Sequence, residues 1–217
     1  MSLKIGIVGL PNVGKSTLFN ALTRSKSAQS ANYPFCTIDP NVGVVEVPDY
    51  RLEKLEKIAN PQRVVPAVIE FVDIAGLVKG ASEGEGLGNQ FLSHVRECDA
   101  IAQVVRVFED DDVVHVHGEV HPQKDREIIE AELIFADLQT LAKRLKKAET
   151  EAKSGDKKII AYVDVLKRIE AHLHQGELVI NMDFSDEEKV MIHDLHFLTA
   201  KPFLYIANMH ENEVGKA

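Results

Sequence analysis

Short apolar, β-branched runs alternate with amphipathic stretches along most of this chain. Residues 3–9 (Leu-Lys-Ile-Gly-Ile-Val-Gly) predict a short buried strand, and Lys15 to Leu22 a helix directly after it. Runs at Val42 to Val47, Val68 to Asp73, Ala100 to Phe108 and Phe203 to Ala207 predict four more strands. Strands separated by helix or loop sequence point to an α/β fold with a mostly parallel sheet covered on both faces. The rhythm breaks between about 125 and 198. There Ile134, Leu138, Leu141, Leu145, Ala148 and Ala152 recur at alternating steps of four and three, a heptad seam. The turn sequence at 153–157 is followed by a second seam, Tyr162, Leu166, Ile169 and Leu173, so the two stretches predict an antiparallel helical hairpin of coiled-coil type. Ser185-Asp186-Glu187-Glu188 has the capping-box form that starts a further helix.

Composition narrows the class without changing that picture. At 217 residues, 45% hydrophobic and 27% charged, the chain suits one large domain carrying an insertion, and it is neither collagen-like nor disordered. A net charge of −9 argues against a surface that coats nucleic acid as a whole, and no DNA partner is expected. It leaves room for a local basic patch. From Lys143 to Arg168 nine Lys/Arg stand against four Asp/Glu, a balance of +5, which suits contact with RNA phosphates as well as a solvated coiled-coil face. Cys36 and Cys98 cannot make a disulfide framework. No apolar run approaches the roughly 20 residues of a membrane span, and the N-terminus lacks the form of a signal peptide. A cytoplasmic protein with no membrane partner is the expectation.

The chemistry begins where the first strand ends. Gly9-Leu10-Pro11-Asn12-Val13-Gly14-Lys15-Ser16 matches G-x-x-x-x-G-K-[ST] in the strand-to-helix context of a P-loop. Glycines let successive N–H groups curl inward on a phosphate, and the helix N-terminus adds partial positive charge. Asn12, Val13, Gly14, Lys15, Ser16 and Thr17 are therefore candidate phosphate-binding residues. Lys15 is placed to reach the β- and γ-phosphates, and the Ser16 hydroxyl to ligate Mg²⁺. Asp73-Ile74-Ala75-Gly76 closes the third strand as D-x-x-G, 58 residues after Lys15. Asp73 is expected to hold the Mg²⁺ through a water, and Gly76 to offer its N–H to the γ-phosphate. Thr37, in the loop before the second strand, is the candidate to complete the Mg²⁺ shell. The glycine-rich run from Gly80 to Gly88 reads as a switch segment.

These stretches carry a family resemblance. Gly-Leu-Pro-Asn-Val-Gly-Lys-Ser-Thr, Tyr-Pro-Phe-Cys-Thr-Ile-Asp-Pro-Asn, the long run from Asp73 to Asn89, and Asn208-Met209-His210-Glu211 resemble the Obg-like ATPase family, the YchF branch of the translation-factor-class P-loop NTPases. The resemblance covers the whole chain. It implies a Ras-like P-loop core, Mg²⁺-dependent ATP hydrolysis and a regulatory role connected with ribosomes and stress responses. It also implies that Phe108 and Met209 lie near the adenine, and that a histidine at His115 serves the attacking water. His94 is a second histidine candidate. The expected division is a nucleotide-binding domain whose first part is 1–118, a helical insertion at 119–198, and a return to the core at 199–217. A Ras-like core should continue past Glu211 with another strand and helix, and the resemblance adds a C-terminal TGS-type domain. The 217 residues therefore read as a truncated chain with weakened nucleotide affinity.

Base choice and turnover follow from single positions. Most P-loop relatives read guanine with Asn-Lys-x-Asp, whose Asp carboxylate accepts from N1–H and the 2-amino group. Adenine presents a lone pair at that edge, so a carboxylate held there would cost roughly 1–3 kcal/mol. Here Glu211 is one methylene longer than Asp, Met209 offers an apolar surface, and Asn208 can still serve an amino group or N7. ATP is expected over GTP. A GTPase of the related class is the alternative, as is a binding module with negligible hydrolysis. Leu77 stands where many relatives carry the water-orienting Gln. Catalysis would then rest on Lys15, Gly76, His115 and Mg²⁺ electrostatics, with slow turnover.

Overall fold

Five strands form one sheet: β1 (Leu3–Val8), β2 (Asn41–Glu46), β3 (Val68–Asp73), β4 (Ala100–Arg106) and β5 (Phe203–Asn208), in the order β2-β3-β1-β4-β5. The coordinates are a computed structural model, which describes residues 2–23, 41–74, 87–109 and 120–215. β1 pairs in parallel with β3 and β4, and β4 with β5, whereas β2 runs antiparallel to β3. The alternation of strand and helix thus gives the mostly parallel sheet that the hydrophobic pattern predicts. β4 ends at Arg106, so Val107 and Phe108 lie beyond the strand.

Helix α1 (Lys15–Thr23) follows β1 and packs its buried Phe19 against the sheet. α2 (Tyr50–Ala59) lies between β2 and β3 where the pattern predicts no helix. Its start is fixed locally: Asp49 accepts the Arg51 N–H at 3.0 Å, and Asn60 closes it with φ +45°. α2 buries no side chain, which is why hydrophobic spacing does not reveal it. α3 (Leu87–Arg96) runs back across the sheet, burying Phe91, Leu92 and Val95.

The hairpin forms from α4 (Pro122–Ala152) and α5 (Lys157–His174), joined through Gly155 at φ +81° and capped at α5 by Asp156. Both predicted seams face each other: Leu141, Leu145 and Ala148 pack with Leu166, Ile169 and Leu173. α4 has 31 residues, about 46 Å at the helical rise. Its earlier turns bury Ile129, Leu133 and Ala136 in the core that the sheet builds with Ile7, Val8 and Ile101. One helix therefore belongs to two apolar cores, so the hairpin grows out of the sheet layer. Gln103 of β4 reinforces the joint by donating to the Arg126 carbonyl at 3.1 Å.

Asp137 sits where α4 passes from one core to the other, with its side chain fully buried. It accepts the backbone N–H of Leu198 at 2.9 Å and of Thr199 at 2.8 Å, and the Thr199 hydroxyl at 2.7 Å. These bonds fasten the turn Leu198–Ala200, which leads into β5, to the middle of α4. α6 (Asp186–Ile192) starts at Ser185 with both arms of the predicted capping box formed. Among the described residues no helix is long and apolar enough to cross a membrane.

Candidate functional site

The phosphate loop leaves the C-terminal end of β1, the edge of a parallel sheet where ligands bind in open α/β folds. Two of its glycines are required by geometry. A Cβ on Gly9 would come within 2.5 Å of the Val104 carbonyl oxygen of β4. Gly14 has φ +98°, and its Cβ would lie 2.4 Å from Asn208 Nδ2. Asn12 also adopts the left-handed region, at φ +62°. The loop delivers Lys15 and Ser16 into the first turn of α1, with Thr17 exposed beside them.

Lys15 is buried and donates from Nζ to the Leu10 carbonyl at 2.7 Å, folding back over its own loop. Burial pulls its ammonium down to about 8, with Asp73 pulling the other way. Asp73 is buried at the end of β3 and accepts the Ser16 hydroxyl at 2.8 Å. Burial pushes its carboxyl above the ordinary value, opposed by the Ser16 hydrogen bond and by Lys15. The structure thus brings together the two motif residues predicted to serve a metal. Hydroxyl and carboxylate oxygens form a donor pair suited to a hard cation such as Mg²⁺, which keeps several waters and phosphate oxygens of its own.

The end of β5 closes the site from the other side. Asn208 donates Nδ2–H to the Val13 carbonyl at 2.9 Å, tying the Asn-Met-His-Glu segment to the phosphate loop. That engages one of its two amide protons and lets Asn208 brace the loop. Phe108 and Met209 are partly exposed, and among the described residues neither packs against the two apolar cores. The Phe108 ring lies 5.5 Å from the His210 ring, and His210 Nε2 sits 3.1 Å from the Glu109 carbonyl. Glu211 opens the turn Glu211–Glu213 with its side chain exposed.

Thr37, Gly76, Leu77 and His115 lie outside the described residues, as does the run from Gly80 to Gly86. His94 is described, near the C-terminal end of α3. It occupies the last turn of α3, where its carbonyl accepts from Cys98 Sγ. That segment is bonded to the start of β1 through Asp99 N–H and the Lys4 carbonyl. The phosphate loop leaves the other end of β1, roughly 16 Å along the strand. α3 is antiparallel to the strands, which is what carries its C-terminus away from the loop.

The sequence reading missed Arg106, which closes β4 fully buried against Phe108. A charged residue inside an otherwise apolar run is the signal that marks it. A second feature is a cleft of about 590 Å³ between α3 and α4, with Arg96, Lys143, Arg144 and Lys147 around it and Asp194 opposite. Elsewhere part of the hairpin's positive charge is neutralised, Lys167 by Glu149 of the hairpin at 3.0 Å and Arg168 by Glu188 of α6.

Comparison with known proteins accords with this geometry. Residues 4–209 match the family model described as 50S ribosome-binding GTPase. The chain is 53% identical over 215 residues to the protein named ribosome-binding ATPase YchF of Bacillus subtilis, covering 99% of this chain and 58% of that protein. It is 54% identical over 212 residues to the protein of that name in Escherichia coli O157:H7, with 98% and 58% covered. Among solved structures, that of the Schizosaccharomyces pombe YchF GTPase superposes with a TM-score of 0.76 at 42% identity, over 98% of this chain and 58% of that one. The chain therefore spans somewhat over half the length of the relatives it matches. With its phosphate loop, D-x-x-G aspartate and Asn-Met-His-Glu segment at one edge of a Ras-like sheet, the chain belongs to the 50S ribosome-binding GTPase family of P-loop proteins, in its YchF branch.

Proposed function

We propose that this chain binds ATP with Mg²⁺ at the phosphate loop and hydrolyses it slowly, as a regulatory switch that engages ribosomes in the cytoplasm. The observation that carries the reading is the Ser16–Asp73 hydrogen bond beside the buried Lys15 ammonium, which feels the Asp73 charge, on a loop braced by Asn208. On phosphate arrival the Lys15 ammonium exchanges its loop carbonyl for phosphate oxygens. Ser16 and Asp73 would hold the cation, which would supply neutralisation of the phosphate charge. Thr37 would complete the metal shell, Gly76 would donate to the γ-phosphate, and His115 would orient water. The backbone of Asn12, Val13, Gly14 and Thr17 lines the phosphate path.

Adenine is favoured over guanine because Glu211 replaces the shorter aspartate of guanine readers, with its side chain in solvent. Phe108 and Met209 supply apolar surface, and Asn208 keeps an acceptor for an amino group. The names of the relatives divide on this point: the bacterial proteins are called ATPases and the fission-yeast structure a GTPase. Parallel calorimetric titrations with ATP and GTP test it. Tighter ATP binding is expected, and a clear preference for GTP would overturn the reading of Glu211. Phosphate release is then measured with and without ribosomes; ATP binding with no release under any condition would favour a nucleotide-dependent binding module.

The cleft between α3 and α4 supports ribosome contact through RNA phosphates, since Arg96, Lys143, Arg144 and Lys147 line it against the one carboxylate of Asp194, on a protein of net charge −9. Such contact should weaken steeply with salt.

A further inference from the structure

The wall against which a base would stack is held by a residue that phosphate chemistry does not explain. Arg106 closes β4 and is only 1% exposed, one of the largest side chains buried in the protein. Its guanidinium carbon lies 4.5 Å from the centre of the Phe108 ring. Its Nε–H also donates to the Phe108 carbonyl at 3.0 Å. One side chain therefore fixes both the backbone and the ring of a residue two positions ahead, beyond the end of the strand. The neighbouring contacts extend the brace to β5: Val107 N–H donates to the Asn208 carbonyl at 2.8 Å, and the His210 ring meets Phe108 at 5.5 Å with a tilt of 59°.

Burying a guanidinium is costly, and an aliphatic side chain would fill a strand end with less desolvation. What arginine adds is a planar cation that stacks on an aromatic face while its fork binds a carbonyl. With the guanidinium on one face and the His210 ring 5.5 Å away, Phe108 is held in one orientation while staying partly exposed. A ring drawn towards a cation on one side presents a less negative face on the other, which suits a neutral, electron-rich purine.

We propose that Arg106 is a positioning residue for nucleotide affinity, holding Phe108 as the stacking wall for the base through its carbonyl and its ring. The inference rests on the nucleotide reading above, and its test separates the two. ATP and inorganic triphosphate, each with Mg²⁺, are titrated into the wild type, Arg106→Met, Phe108→Leu and the double variant. Triphosphate reports the phosphate loop alone, whereas ATP reports the loop and the base wall together. Arg106→Met and Phe108→Leu should each weaken ATP on the order of tenfold. The double variant should bind no more weakly than Phe108→Leu, and triphosphate affinity should be the same in all four. Arg106→Lys keeps the charge, loses the planar fork, and carries the same comparison if the methionine variant does not fold. Equal losses for ATP and triphosphate would make Arg106 a structural residue only and overturn the proposal. Unchanged ATP affinity, or additive losses in the double variant, would do the same. A wild type that binds neither ligand would sink the nucleotide site, and this proposal with it; selective loss of the Arg106 effect alone would leave the site intact.

Discussion

Lys15 and Asp137 are both buried charges, one at the edge of the sheet and one at the root of the hairpin, and their partners differ in kind. Lys15 holds a single loop carbonyl, close to an aspartate that itself rests on a serine hydroxyl. Each of those contacts is with a group that can exchange it for a phosphate oxygen or a cation. Asp137 holds two backbone N–H groups and a buried hydroxyl of the segment that feeds β5. Nothing in that arrangement can be exchanged without undoing the chain path. A buried charge surrounded by replaceable partners is poised for a ligand, whereas one bonded to backbone is a fastening.

The sharpest way to break this contrast is to remove each charge in turn. Asp137→Ala leaves three buried donors without an acceptor and should cost roughly 3–5 kcal/mol. For a chain of this size that lowers Tm by about 10 °C, read by calorimetry or circular dichroism. Asp137→Asn, which keeps one acceptor oxygen, should lose less. A Tm unchanged in Asp137→Ala would show that the fastening carries no stability.

Lys15→Met should do the reverse. Loss of the phosphate ligand is expected to weaken ATP at least a hundredfold, about 3 kcal/mol, in the same calorimetric assay. The unliganded protein should melt no lower than the wild type, because the substitution removes a desolvated ammonium whose burial already works against its charge. A variant that both melts early and loses ATP would mean that Lys15 is structural as well, and the contrast would fail.

The two regions were not equally legible in the sequence. The phosphate loop is a contiguous motif with a fixed chemical purpose, and Asp73 follows from where β3 ends, so both fall where the pattern puts them. The hairpin seams were readable for a related reason: a heptad repeat survives any tertiary context that pairs two helices. Asp137 and Arg106 were not readable as special. Each depends on a partner far along the chain or on a strand end, 61 residues away for the first bond of Asp137. A lone charge within an apolar stretch marks such a position without naming its partner.

Ser185 offers the smallest and most local test, a fastening at the surface with exchangeable partners. Its hydroxyl accepts the Glu188 N–H at 3.2 Å, while Glu188 accepts the Ser185 N–H at 2.9 Å and also meets Arg168 of α5. α6 has seven residues and no buried side chain, too short to persist without its cap. Ser185→Ala should cost about 1 kcal/mol, a fall in Tm of about 3 °C, with ATP affinity unaltered. The Ser185 N–H and then Arg168 hold the Glu188 carboxyl below its ordinary 4.5. A depressed folded value means that this contribution is complete above 4.5 and fades as pH falls below it. Glu188→Gln should therefore remove part of the acid limb of the stability curve while leaving the neutral region nearly flat. If the variant and wild type keep parallel curves through the acid limb, the capping box and its arginine do not hold α6 against the hairpin.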